Sequence, residues 1–357
     1  MNLFELYTDN KNYKDLTDIF TIGAQQHPVG LPANFLEKDI WVTEILRLLY
    51  DESLLGNLSV AFKGGTALSK CWSAISRFSE DIDLSIHWAD LSGLSEEDEL
   101  KAWQQSTTSK SQAKKFRDKQ QSLLEDWSNE FLVGLNQELD KYQIEGLYAE
   151  IEPGSRGEKI DIHFPRTTRG SNDYQLDHVL LEFGGRNRGK PTETLNVETY
   201  LYQCPDLSNL ELPRANVKAF QQDYILWEKL TALHQFSTQT KEPNPVRLAR
   251  HWYDVDCLLQ NKFADPLATT EAMQAVIEMK KHRWSTPGVD FEAILSGGLR
   301  LIPDGERLHA VNQDHVEAIS GKMFFTVPDE FEHIVSRLTN AQNLFNQHTR
   351  QSETTSK

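Results

Sequence analysis

Cysteine is scarce in this chain. There are three in 357 residues (Cys71, Cys204 and Cys257). They lie far apart and in no metal-binding spacing, which excludes a disulfide framework and a cysteine zinc site and suggests a reducing compartment with buried thiols. Long apolar runs are lacking too, and nothing approaches the roughly 20 apolar residues of a membrane span. Met1 to Asp9 has neither a basic start nor an apolar stretch, so no secretory leader is expected and the expected location is cytoplasmic. A basic excess is also missing. Against 53 acidic residues stand 37 lysines and arginines, a formal charge of −16. Such a chain has no general attraction for nucleic acid, and any RNA contact has to use a local basic patch. No internal repeat is present. With 39% hydrophobic residues, the chain can bury the core of one large or two intimate domains.

What is there is concentrated between Val60 and Ile86. Leu58, Val60 and Phe62 alternate as a half-buried strand does. Gly64 and Gly65 allow a sharp turn and a close approach of backbone to ligand. Leu68, Trp72 and Ile75 repeat at helical spacing, which predicts a short helix over Thr66 to Ile75. Ile82, Leu84 and Ile86 then alternate with Asp81, Asp83 and Ser85. Period two puts Asp81 and Asp83 on one face of a strand, about 7 Å apart along it. Aspartate is depleted in strands, so two at i and i+2 need a reason. Two carboxylates beside a glycine turn at a helix N-terminus can hold a divalent cation and a polyphosphate together. The N–H groups of Gly65, Thr66 and their successors would face phosphate oxygens, and Asp81 and Asp83 would hold Mg²⁺. The plain alternative is a strand with a polar outer face after an ordinary turn.

Gly-Gly-Thr, a helix, then Ser-Glu-Asp-Ile-Asp resembles the signature of DNA polymerase β-like nucleotidyltransferases. More narrowly, Lys63-Gly-Gly-Thr-Ala-Leu through Arg77-Phe-Ser-Glu-Asp-Ile-Asp83 resembles the AbiEii family, the toxins of type IV (abortive-infection) toxin–antitoxin pairs. The resemblance spans roughly Leu36 to Leu259. It implies an α/β (α+β) fold, with a polymerase β-like core on a mixed, mostly antiparallel sheet and a helical C-terminal domain closing over it. It further implies Mg²⁺ as cofactor, an NTP as substrate, RNA (tRNA foremost) as acceptor and a cognate antitoxin as partner, with no membrane involvement.

The same resemblance distributes roles along the chain. Lys63, Gly64, Gly65 and Thr66 fall to nucleotide binding, and Asp81 and Asp83 to the metal. A third carboxylate comes from a neighbouring strand, as general base or second-metal ligand. Strands are expected at Tyr148–Glu152, Lys159–Phe164 and His178–Phe183, which leaves Glu182 and Asp161 as candidates; the family pattern favours Glu182. Trp227-Glu-Lys-Leu-Thr-Ala-Leu matches the third family motif, so Lys229 would neutralise triphosphate charge. Arg250-His-Trp-Tyr-Asp254-Val resembles the fourth, with His251 where the pattern has an aspartate. That carries Asp254 over as a bonding partner of Lys229 or of the nucleotide, and Arg250 as a phosphate contact or an acid's partner.

Other segments read more plainly. Residues 1–35 form a polar lead-in. Leu36 to Tyr50 carries an apolar helical stripe. The core spans 36–215 with a helical insertion near 90–140, where Lys110, Lys114, Lys115, Arg117 and Lys119 form the strongest basic cluster, a solvated helix face or an RNA contact. Gly184 to Lys190 satisfies the P-loop pattern, but Pro191 replaces the required Ser or Thr, so a charged hairpin tip is expected there, with Arg186 and Arg188 toward substrate. A helical domain follows over 216–346, with a disordered tail from 347. Two other functions remain open at this point: a kinase-like phosphotransferase on the same fold, and a non-catalytic nucleotide-binding module.

Overall fold

The glycine turn follows one strand and the double aspartate opens its neighbour, Asp81 standing one residue before that strand and Asp83 within it; both strands lie in the middle of a seven-stranded mixed sheet whose order, numbered along the chain, is β3-β4-β5-β2-β1-β7-β6. The computed structural model describes residues 2–168, 176–283 and 286–355. The chain divides into two units, Met1–Ser73 with Phe78–Phe220, and Ala74–Arg77 with Gln221–Lys357.

In the first unit the strands are β1 (Val60–Lys63), β2 (Ile82–His87), β3 (Tyr148–Ile151), β4 (Lys159–His163), β5 (Val179–Asn187), β6 (Thr192–Glu198) and β7 (Arg214–Phe220). β1 runs parallel to β7 and β2 parallel to β5, while the other neighbours are antiparallel. Alternation decides the faces. Ile82, Leu84, Ile160, Ile162, Leu181 and Phe183 are buried on one side, leaving Asp83, Lys159, Asp161 and Glu182 on the other. The helices are α1 (Tyr13–Gln26), α2 (Ala33–Tyr50), α3 (Gly64–Trp72), α4 (Trp88–Leu91), α5 (Glu96–Thr107) and α6 (Lys110–Asp140). The second unit is built from α7 (Gln222–Thr238), α8 (Arg250–Gln260), α9 (Thr270–Arg283), α10 (Gly305–Ser320) and α11 (Phe331–Thr355). No described helix is long and apolar enough to cross a membrane.

Helix α2 is buried on nearly every side, its charged residues included. Buried charge is tolerated only when it is paired, and three successive residues meet that demand in three directions. Glu37 accepts from the Tyr7 hydroxyl at 3.0 Å and the Thr167 and Thr168 amides at 2.7 and 2.8 Å. Lys38 donates to Glu80 at 2.9 Å. Asp39 accepts from the Thr199 hydroxyl and the Tyr200 amide at 2.7 Å each, and from Lys70 of α3 at 2.5 Å. One helix thus ties the N-terminal segment, the residue before Asp81 and the glycine-turn helix into one body.

Several expectations are corrected. The lead-in contains α1, which buries Leu16, Phe20 and Gly23. The first unit continues past residue 215 through β7, whose Ala215, Val217 and Ala219 point inward. The segment after Asn187 is not a hairpin tip, because β5 and β6 lie at different positions in the sheet and it is a crossover between them. Arg186 is turned to Glu158 at 2.8 Å. The stretch from Gln347, expected as a disordered tail, continues α11 to Thr355.

Candidate active site

β1 passes into α3 without a loop. Lys63 ends the strand and Gly64 begins the helix. Gly64 has φ +78°, and a Cβ built there would lie 1.7 Å from Asp83 Oδ2. Only glycine satisfies both conditions. The turn exists so that the first amides of α3 and the Asp83 carboxylate share one small space, where an anion at the helix N-terminus would also touch a cation held by Asp83.

Strand pairing extends this space sideways. Lys63 is the Cα partner of Asp83, Asp83 of Glu182, and Glu182 of Lys159. The four side chains therefore stand in a row on one face, charged plus, minus, minus, plus. Lys159 lies 3.7 Å from Glu182 Oε1 and 3.2 Å from Glu152 Oε2. Asp81 is 6% exposed. Asp161 sits elsewhere: its strand partner is Leu180, and its carboxylate lies 3.2 Å from His178 Nε2. Burial raises the Asp161 pKa, against the pull of the His178 charge. Of the two third-carboxylate candidates, Glu182 is the one in register with Asp83.

Among the described residues no three histidine, cysteine or acidic side chains converge tightly enough to enclose a metal alone. The donor set still suits Mg²⁺, which takes one or two carboxylates and completes its shell with water and substrate phosphates.

The Thr66 side chain has a part of its own beside the one expected of its amide. It is fully buried. Its hydroxyl donates to the Asp81 carbonyl at 2.5 Å and lies 3.1 Å from Ser79 Oγ. Its side chain fastens α3 to the backbone at Asp81, leaving only its amide for a phosphate. Glu80 is fully buried and bonded to Lys38 and to the Leu176 amide at 3.2 Å. The segment that leads through Asp81 into β2 and Asp83 is therefore clamped just before the strand begins. Periodicity did not reveal Lys38, Glu80 or Lys159, since it assigns charged residues to solvent; the unusual Glu37-Lys38-Asp39 run on an apolar helix was the available signal.

The second unit holds a buried charged cluster of its own. Asp254, fully buried, accepts from Arg77 Nε at 2.7 Å and a terminal Arg77 nitrogen at 2.9 Å. The Lys229 ammonium donates to it at 2.7 Å. Burial pushes the Asp254 carboxyl up, but the Arg77 and Lys229 charges more than reverse this and hold it well below the usual carboxylate range. Three donors leave this carboxylate little capacity for a ribose or base. Burial, reinforced by the Lys229 and Arg250 charges, holds His251 well below the usual histidine value. Thus His251, where the family pattern has an acid, stands neutral. Arg77 was the partner that motif spacing missed, being 177 residues from Asp254.

A glycine-opened helix against a double-aspartate strand in a mixed α/β sheet, joined to a helical unit, defines a nucleotidyltransferase core. Residues 47–337 match the family model described as nucleotidyl transferase AbiEii toxin of type IV toxin–antitoxin systems, and the chain belongs to that family. The match begins after the Glu37 segment and continues well beyond Leu259, into α11. No curated protein matches the sequence. Among solved structures the chain is similar to MenT4, a nucleotidyltransferase toxin from Mycobacterium tuberculosis H37Rv, with 16% identity, a TM-score of 0.47, and coverage of 91% of this chain and 98% of that one.

Proposed function

We propose that this nucleotidyltransferase toxin works in the cytoplasm with Mg²⁺, moving a nucleoside monophosphate from an NTP to a hydroxyl of RNA, with tRNA the acceptor class, and that a cognate antitoxin restrains it. The observation that carries the reading is the contact of Gly64 with Asp83, which brings helix amides and a carboxylate into one space.

Asp81 and Asp83 would hold Mg²⁺, with Glu182 the third carboxylate. Bound there, the ion supplies Lewis-acid neutralisation of phosphate charge. Everything else falls to the chain. The amides after Gly64 orient the phosphates, and the buried Thr66 hydroxyl and Glu80 carboxylate keep Asp81 and Asp83 fixed. Lys229 and Arg250 are assigned to phosphate charge, with Asp254 holding the Lys229 ammonium in place. The acceptor oxygen forms its new bond at the α-phosphorus while the bond to pyrophosphate breaks, and the acceptor's proton passes to Glu182. This division, positioning plus charge with little covalent work by the protein, is the general logic of phosphoryl transfer.

The test identifies the released product. Purified protein with Mg²⁺, each NTP and total cellular RNA is expected to release pyrophosphate. Release of nucleoside diphosphate instead, with phosphate on the acceptor, would establish a phosphotransferase and overturn the reading.

A further inference from the structure

The start of α6 spends helix stability on charge. Its first turn has no acidic residue. Lys110, Lys114, Lys115 and Lys119 are all exposed, and no carboxylate pairs with them among the described residues. Two other helix-borne surface lysines of this unit are paired within a turn, Lys101 with Glu97 at 3.0 Å and Lys141 with Glu138 at 2.5 Å. Cations at a helix N-terminus oppose the macrodipole. Lys110 with Lys114, and Lys115 with Lys119, are like-charge pairs at i,i+4, destabilising by a few tenths of a kcal/mol each. In a chain of net charge −16, a local cationic surface kept at that cost calls for a polyanion.

The remainder of α6 shows how far this surface stands from the chemistry. Trp127 and Phe131 pack on Phe183 of β5 with ring centroids 5.1 and 5.4 Å apart. Leu124 lies against Gly185, 3.1 Å from where its Cβ would be. β5 is also the strand of Glu182, on its opposite face. From Leu124 back to Lys110 the helix runs about 20 Å at its usual rise. One ligand reaching both the acids and this basic end must be macromolecular. The aromatic residues at this end, Trp88, Trp103 and Phe116, are packed on one another at 5.2 to 5.9 Å, and Trp88 and Trp103 are buried. The two tryptophans therefore offer no open ring on which a base could stack.

We infer that the basic N-terminal third of α6 docks the phosphate backbone of the RNA acceptor. This rests on the transfer reading above and deepens it. The surface grips long RNA without reading its sequence, because lysines alone meet it and phosphate contacts carry no sequence information. It sets the affinity for acceptor and its salt dependence, not the nucleotide transferred.

The variant K110Q/K114Q/K115Q/K119Q, compared with wild type and with D81N/D83N, tests it on bulk tRNA and on a short single-stranded oligoribonucleotide. The expected result is at least a ten-fold rise in the half-saturating tRNA concentration. The slope of log affinity against log salt should become shallower by about 3, at roughly 0.7 per lost contact. Binding of the oligonucleotide and of NTP should stay as in wild type, and the melting temperature should rise slightly, because the substitutions relieve like-charge pairs and the opposed macrodipole. Unchanged tRNA affinity overturns the inference, as does an equal loss for tRNA and oligonucleotide. Loss of a co-purifying acidic protein with tRNA affinity intact also overturns it, in favour of a protein partner. The two readings fail separately. Wild type that binds tRNA through these lysines but transfers nothing removes the transfer reading. Transfer to tRNA with the same KM in wild type and lysine variant removes only the docking surface.

Discussion

Gly64→Ala isolates the contact on which the site is built. The new Cβ would stand 1.7 Å from Asp83 Oδ2, 2.5 Å from its Cγ and 2.8 Å from its Cβ. All three are inside any tolerated contact, so the Asp83 carboxylate must retreat by roughly 1 Å or more, and a misplacement of about 1 Å can cost on the order of 100-fold in rate. Left-handed φ adds about 1–2 kcal/mol of backbone strain. The strain can be separated from the crowding. Gly56 has φ +62° with nothing within 4 Å of its would-be Cβ, so Gly56→Ala carries the strain alone. Nucleotide transfer and thermal melting of both variants are the assay. Gly56→Ala should lose about the strain alone and Gly64→Ala at least as much, and only Gly64→Ala should lose about 100-fold or more in kcat. Full activity in Gly64→Ala, or an equal activity loss in Gly56→Ala, would refute the reasoning.

Four further outcomes are expected. Thr66→Val removes the hydroxyl from the Asp81 carbonyl at 2.5 Å and should cost about 1–3 kcal/mol in denaturant unfolding, together with activity; Thr66→Ser should restore most of both. Asp254→Ala leaves Arg77 and Lys229 facing each other without their acid and should cost about 3–5 kcal/mol; a loss below about 1 kcal/mol in the same measurement would contradict the pairing. Glu182→Gln should abolish transfer while Asp161→Asn leaves it nearly intact, and the reverse order would move the third carboxylate to Asp161. Burial holds His27, His87, His178, His234 and His251 below the ordinary histidine value. The unfolded chain therefore binds more protons, and the stability these groups contribute is present above about pH 6.5 and lost as pH falls below it. Melting temperature should drop between pH 7 and pH 5, and a flat profile would count against neutral, buried imidazoles.

The parts of the site that could be read from sequence are those written in one short stretch. Gly64, Asp81 and Asp83 lie within 20 residues, and period two put Asp83 on the strand face it occupies, while Asp81 stands one residue before β2. Glu182 could be named only as one of two acids, because register between β2 and β5 is decided by strand pairing rather than by either strand's own pattern. The sequence assigned the Thr66 amide to phosphate but was silent on its hydroxyl, whose acceptor, the Asp81 carbonyl, depends on how α3 packs against β2. α1 was missed because only Leu16 and Phe20 mark its buried side, with Gly23 completing the stripe without a side chain. β7 was missed because two of its inward residues are alanine, whose alternation with Arg214, Asn216 and Lys218 is faint. Buried pairs such as Lys38 with Glu80 and Arg77 with Asp254 invert the usual inference from charge to surface, and only the fold shows which charges have partners.

The most direct test of nucleotidyl transfer follows label from the α-phosphate of each NTP onto total cellular RNA in the presence of Mg²⁺, for wild type and for D81A/D83A. Label on RNA with one or more NTPs, absent without Mg²⁺ and absent in the double variant, is the expected result. Equal labelling by wild type and double variant, or no labelling with any NTP although nucleotide binds, would contradict it.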